Sequence, residues 1–143
     1  MVKIDLGVHI DGYMTLTAHT VVVGHTPDSP ITGPQADVMH AAWMAAEVAA
    51  RLIKPGNTNK DVTAAIKQVC EAYGVNAFSA STMHEVKRYV LDGSKMIYAS
   101  DDPDQPKIKE CTFEAGEVYA IDLCMTTGEG KPKEGGDSND EKG

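Results

Sequence analysis

From Val2 to Ile10 apolar and polar residues alternate: Val2, Ile4, Leu6, Val8 and Ile10 form one row, Lys3, Asp5, Gly7 and His9 the other. A period of two is the pattern of a strand whose two faces meet different surroundings. Asp11-Gly12 supplies positive φ at both central positions of a type I′ turn, and Tyr13 to Val23 resumes with Thr, Val and Tyr. The chain is expected to open with a long hairpin. Its two-residue turn sets the register, with Ile10 opposite Tyr13, Gly7 opposite Leu16 and Asp5 opposite Ala18. Asp5 and Leu16 then share a face with His9 and Thr20, while Ile4, Leu6 and Val8 pack behind it.

Gly24 to Pro34, with three prolines, reads as a loop. Val38, Ala41, Ala42, Ala45, Val48, Ala49 and Leu52 then recur at helical spacing, predicting a helix from about Ala36 to Leu52 that Pro55-Gly56 stops. Thr58 with Asp61 three residues on is a capping signal. It opens a second helix with Val62, Ile66, Val69, Cys70 and Tyr73 on one face and Gly74 at its end. Val75 to Ser81 could be a strand, and His84 to Leu91 is ambiguous between helix and strand. Asp101 to Lys109 is a surface loop by composition, and Val118 to Leu123 is a strand. Gly128 to Gly143 has no aromatic or aliphatic side chain and is expected to be a disordered tail behind a domain spanning residues 1–127.

Composition narrows the function classes. A chain of 143 residues, 42% hydrophobic and 24% charged, has the balance of one soluble domain able to bury its own core. The net charge of −8 argues against phosphate-backbone binding as the main work of this stretch. Cys70, Cys111 and Cys124 are too few and too scattered for a disulfide framework or a metal knuckle, so a reducing compartment is expected. No apolar run approaches the roughly 20 residues of a membrane span, and Lys3-Ile4-Asp5 does not read as a secretory signal. His9, His19, His25 and His40 show no metal spacing, although His19 lies in the Ala18-His19-Thr20 segment. Lys87-Arg88 reads as a solvated doublet, Cys70 as core packing, and Cys124 has no evident activating partner.

Taken in order, several segments carry a resemblance. They are Lys3-Ile4-Asp5-Leu6-Gly7, Asp11-Gly12-Tyr13, Ala18-His19-Thr20, Lys54-Pro55-Gly56-Asn57-Thr58, His84, Gly116 to Asp122 and Thr127-Gly128-Glu129-Gly130. Together they resemble the methionine aminopeptidase-like, creatinase-like superfamily (peptidase M24, pita-bread fold). The resemblance covers roughly Val2 to Gly135 and implies an α+β architecture, here incomplete, with an antiparallel sheet and helices packed on one face.

In active members of that family two hairpin aspartates, a histidine and two glutamates hold two divalent metals. Residue by residue, the resemblance puts the first aspartate at Asp5 and the histidine at His84. It puts the second aspartate at Leu16, the first glutamate at Asp122, and the second glutamate beyond Gly143. A second family histidine falls on Asp92. A two-metal site needs carboxylates bridging ions about 3.5–4 Å apart, and Leu16 has no donor atom. The four positions Asp5, Leu16, His84 and Asp122 are thus expected to be a vestigial pocket with no catalytic residue, no metal and no cofactor. Asp5 and His84 are expected as a buried, hydrogen-bonded or hydrated polar pair, and a weak single-metal site is the sharper alternative.

The phrases Val2 to His9, Ala36-Asp37-Val38 and Gly128-Glu129-Gly130-Lys131 are most similar to the non-catalytic proliferation-associated, ErbB-receptor-binding branch. That branch implies a pseudoenzyme bound to RNA, ribosomes and regulatory protein partners in cytoplasm and nucleus, with no membrane role. A hydrolase with a degraded site and a truncated fragment without independent function are the competing readings. The fragment reading predicts partly exposed apolar surface and self-association.

Overall fold

The structure, a computed structural model, describes residues 1–132. Two nine-residue strands open it, β1 (Val2–Ile10) and β2 (Tyr13–Val21). They pair in the expected register from Val2 opposite Val21 to Ile10 opposite Tyr13. Asp11 (φ 53°) and Gly12 (φ 83°) both take the left-handed region that a type I′ turn requires.

Helix α1 (Pro34–Leu52) starts two residues before the expected position, because Pro34 fits the first helical turn. Ala41, Ala45 and Ala49 are buried four residues apart, a stripe of small side chains that brings α1 close to α2 (Asn59–Tyr73). The buried face of α2 is Val62, Ile66 and Cys70. Its ends match the sequence signals: Thr58 and Asp61 complete a reciprocal capping box, and Gly74 closes the helix in the left-handed conformation.

The remaining strands are short: β3 (Asn76–Ala77), β4 (Thr82–Val86), β5 (Met96–Tyr98), β6 (Val118–Ala120) and β7 (Met125–Thr126). All pairing is antiparallel, as expected, but it is divided into three sheets: β1-β2, β3-β7 and β5-β4-β6. Helix α2 packs on β5 and β3, and α1 on β7. The expected strand at Val75 to Ser81 shrinks to two residues, and the ambiguous segment at His84 begins as strand and ends in a tight turn at Lys87–Val90. The strand expected to reach Leu123 stops at Ala120. Beyond it the Ser81 hydroxyl donates to the Asp122 carbonyl (2.9 Å) and accepts from the Cys124 amide (3.2 Å), taking the place of a ladder.

The core joins Met83, Ile97, Ala99 and Phe113 to the buried faces of both helices. Asn59, buried at the start of α2, ties three segments together. Its amide donates to the Met96 and Lys109 carbonyls (3.0 and 3.1 Å), and its oxygen accepts from the Cys111 amide (3.1 Å). The tail boundary at 127 needs correction for its first residues. The Asn76 side chain donates to the Gly128 carbonyl (2.8 Å), the Ser79 amide donates to that of Gly130 (2.7 Å), and Gly130 is buried. At Gly130 φ is 78° and a Cβ would lie 2.7 Å from the Ala77 carbonyl oxygen, so only glycine fits. The rest of the expected tail, residues 133–143, lies outside the described residues. No described helix is long and apolar enough to cross a membrane.

Candidate functional site

The hairpin face that carries Asp5 also carries Leu16, as the register requires. Gly7 lies opposite Leu16, and a Cβ there would come within 3.2 Å of Leu16 Cδ2, so the glycine makes room for the leucine. Lys3, on the same face, reaches Cys124 with Nζ 3.4 Å from Sγ. This face is therefore turned toward the chain that follows β6, and Cys124 has a cationic neighbour that spacing along the chain could not disclose.

The tip of the hairpin is clasped by the Lys87–Val90 turn. Arg88 donates through Nε to the Asp11 carbonyl (2.9 Å) and through a terminal nitrogen to its carboxylate (2.6 Å). Its guanidinium lies 5.1 Å from the ring centroids of both Tyr13 and Tyr89. Tyr89 donates its amide to the Gly12 carbonyl (2.9 Å) and its hydroxyl to Asp11 (3.0 Å). A Cβ on Gly12 would stand 2.5 Å from the Tyr89 ring. The Lys87-Arg88 doublet is thus engaged rather than simply solvated: Lys87 Nζ also lies 3.2 Å from Glu85 Oε2, within ion-pair range though not aligned as a hydrogen bond.

His84 sits on β4 between Met96 of β5 and Ala120 of β6. Its Nε2 lies 3.5 Å from Asp92, and its buried Nδ1 has no hydrogen-bond partner among the described residues. The structure therefore brings His84 to Asp92, two positions singled out in the sequence. It does not make a buried pair of Asp5 and His84, because Asp5 is exposed on the hairpin. Asp122 is exposed as well, and its backbone carbonyl accepts from Ser81. Among the described residues no three His, Cys, Asp or Glu side chains converge as a metal site requires. Leu16, on the same hairpin face as Asp5, offers only hydrocarbon and no donor atom.

Two features escaped the sequence reading. One is the clasp, whose halves lie 77 residues apart. The other joins Lys95, Glu117 and Tyr119. Lys95 Nζ donates to Glu117 (2.5 Å) and to the Thr112 carbonyl (2.8 Å), while the Tyr119 hydroxyl and the Glu114 amide donate to the second Glu117 oxygen (2.9 and 3.0 Å). Burial first, and then the bonded Glu117 carboxylate, push the Tyr119 hydroxyl well above its usual range. Cys70 is a core thiol, as expected, its pKa raised by burial. All three cysteines are free.

A hairpin, two helices and small antiparallel sheets in this order define a class, and the family model for metallopeptidase family M24 matches residues 1–136. The chain belongs to that family. It is 46% identical to proliferation-associated protein A of Dictyostelium discoideum over 96% of its own length and 35% of the relative's. It is 45% identical to ERBB-3 binding protein 1 of Arabidopsis thaliana over 93% of its length and 33% of that protein's. The solved structure of a thermophilic Arx1 superposes with a TM-score of 0.75 at 28% identity, covering 90% of this chain and 40% of that one. The pita-bread, α+β architecture follows, and the chain spans about a third of the length of the curated relatives it matches.

Proposed function

We propose that this chain acts as a non-catalytic M24-family binding protein, working in growth-control complexes with regulatory proteins and with RNA or ribosomes, in cytoplasm and nucleus. The observation that carries the reading is Leu16 beside Asp5 on one hairpin face. The family resemblance assigns Leu16 the place of a bridging aspartate, and hydrocarbon can neither bridge two ions nor help generate a nucleophilic water. Asp92 at the place of a second family histidine, paired instead with His84, points the same way. The names of the relatives, proliferation-associated and ERBB-3 binding, support a growth-linked role with protein partners. The acidic charge describes about a third of such a protein, so it does not weigh against RNA binding by the whole.

Titration calorimetry with cobalt or manganese, run beside a methionine-release assay on a peptide, tests the reading. No two-equivalent metal binding and no released methionine are expected, and Leu16→Asp leaves the assay at its blank. Two bound equivalents with turnover would overturn the proposal. A measurable baseline that Leu16→Asp raises would favour a hydrolase with a degraded site.

A further inference from the structure

An aspartate followed by glycine is open to a reaction of its own backbone, because glycine has no Cβ to shield the amide nitrogen. The chain has two such pairs, Asp11-Gly12 and Asp92-Gly93, and the structure restrains them differently. The Gly93 amide donates to the Glu85 carbonyl (2.7 Å), so that nitrogen is occupied. The Gly12 amide, outside the β1–β2 ladder, makes no such bond among the described residues. At the hairpin tip it is the carboxylate that is held. One Asp11 oxygen accepts from Arg88 (2.6 Å) and the other from the Tyr89 hydroxyl (3.0 Å).

We propose that Asp11-Gly12 is a site of spontaneous isoaspartate formation, and that Arg88 and Tyr89 keep it dormant. The Gly12 nitrogen attacks the Asp11 side-chain carboxyl carbon, the amide hydrogen and the carboxyl hydroxyl leave together as water, and a succinimide ring closes. Water then opens the ring at either carbonyl, and with the Asp11 side chain 70% exposed it has ready access. Opening at the side-chain carbonyl breaks the new C–N bond and restores aspartate. Opening at the main-chain carbonyl breaks the original peptide bond, so the chain now runs through Cβ and Cγ and the former carbonyl is a free carboxylate. The extra backbone atom does not fit a two-residue type I′ turn, and the Asp11 carbonyl that accepts from Arg88 Nε (2.9 Å) is lost. The modification therefore unfastens the tip covalently. Its first step requires the carboxyl to leave both donors and swing to the Gly12 nitrogen, so the rate follows the fraction of time the tip stands open. Each restraint joins the tip to the Lys87–Val90 turn within this chain, and it stands whatever covers either face of the hairpin.

Ageing the full chain at neutral pH, followed by peptide mass mapping with isoaspartyl methyltransferase labelling, tests this. The wild-type chain gains isoaspartate at Asp11 slowly, and Arg88→Ala speeds that gain roughly three- to tenfold, the extra opening that loss of exposed, charge-assisted bonds allows. Tyr89→Phe removes a single bond and speeds it less. Asp92 is the internal control, because its glycine stays tied to β4 and its rate stays the same in both variants. Should Arg88→Ala unfold, which would show as a gain at Asp92 too, Tyr89→Phe carries the test. An Asp11 rate that neither variant raises, a rise in Tyr89→Phe that Asp92 shares equally, or a wild-type Asp11 that isomerises as fast as in the chain unfolded in urea overturns the proposal.

Discussion

Glu117 illustrates how one carboxylate organises its neighbourhood. Burial pushes its pKa upward, but the Lys95 ammonium, the Glu114 amide and the Tyr119 hydroxyl together outweigh burial and hold it below its ordinary 4.5. Lys95 is raised above its ordinary 10.5, chiefly by its hydrogen bond to Glu117. The two signs fix two pH limits. The Glu117 contribution to stability is present above the unfolded value of 4.5 and is lost as pH falls through the lower folded value; the Lys95 contribution is full below 10.5 and is lost as pH rises through its raised folded value. Glu117→Gln is expected to lower the melting temperature at neutral pH and to flatten the acid limb of the stability profile below 4.5. Thermal unfolding followed from about pH 2 to 8 measures both effects. No spacing rule foretold this cluster, because Lys95 and Glu117 stand on different segments and meet only after β4 has gathered β5 and β6.

Elements whose determinants are local matched their sequence signals most closely. Asp11-Gly12 sets the hairpin register through turn chemistry, and Thr58 with Gly74 sets the two ends of α2 through hydrogen bonds within a few residues. In the capping box the Thr58 hydroxyl accepts from the Asp61 amide (3.3 Å) and the Asp61 carboxylate accepts from the Thr58 amide (2.7 Å). The Thr58 amide and, at 2.9 Å, the Thr58 hydroxyl both donate to the Asp61 carboxylate and hold it below its usual range. Thr58→Ala should cost about 1 kcal/mol, seen as a lower urea midpoint at unchanged slope. The short strands behave differently. Met96–Tyr98 has no pattern long enough to declare itself, and it is a strand because β4 pairs it over a core of Met83 and Ile97. The stop at Ala120 likewise depends on Ser81, about forty residues earlier in the chain.

At the scale of the whole molecule, the hairpin is an arm held at its ends by the Arg88 clasp and the Lys3 to Cys124 contact, while the helices and small sheets form the core. Arg88→Ala removes two hydrogen bonds and two ring contacts from the tip. Hydrogen exchange should then rise at least several-fold across β1 and β2 while α1, α2 and β4 keep their protection, because the arm opens as a unit apart from the core. Equal loss of protection everywhere would show the clasp to be part of the global fold instead. Alternation, helical periodicity and capping residues determined by themselves that this chain makes a hairpin and two helices, and that Asp5 and Leu16 share a face. These are consequences of side-chain period and of bonds that reach only a few residues. Which surroundings each face meets was decided by tertiary structure alone. The Ile4, Leu6 and Val8 row, read as packed, is exposed; Arg88, read as solvated, is the anchor; and His84 turns to Asp92 rather than to Asp5. Packing and long-range polar pairs depend on where the folded backbone brings distant residues, and no local pattern encodes that placement.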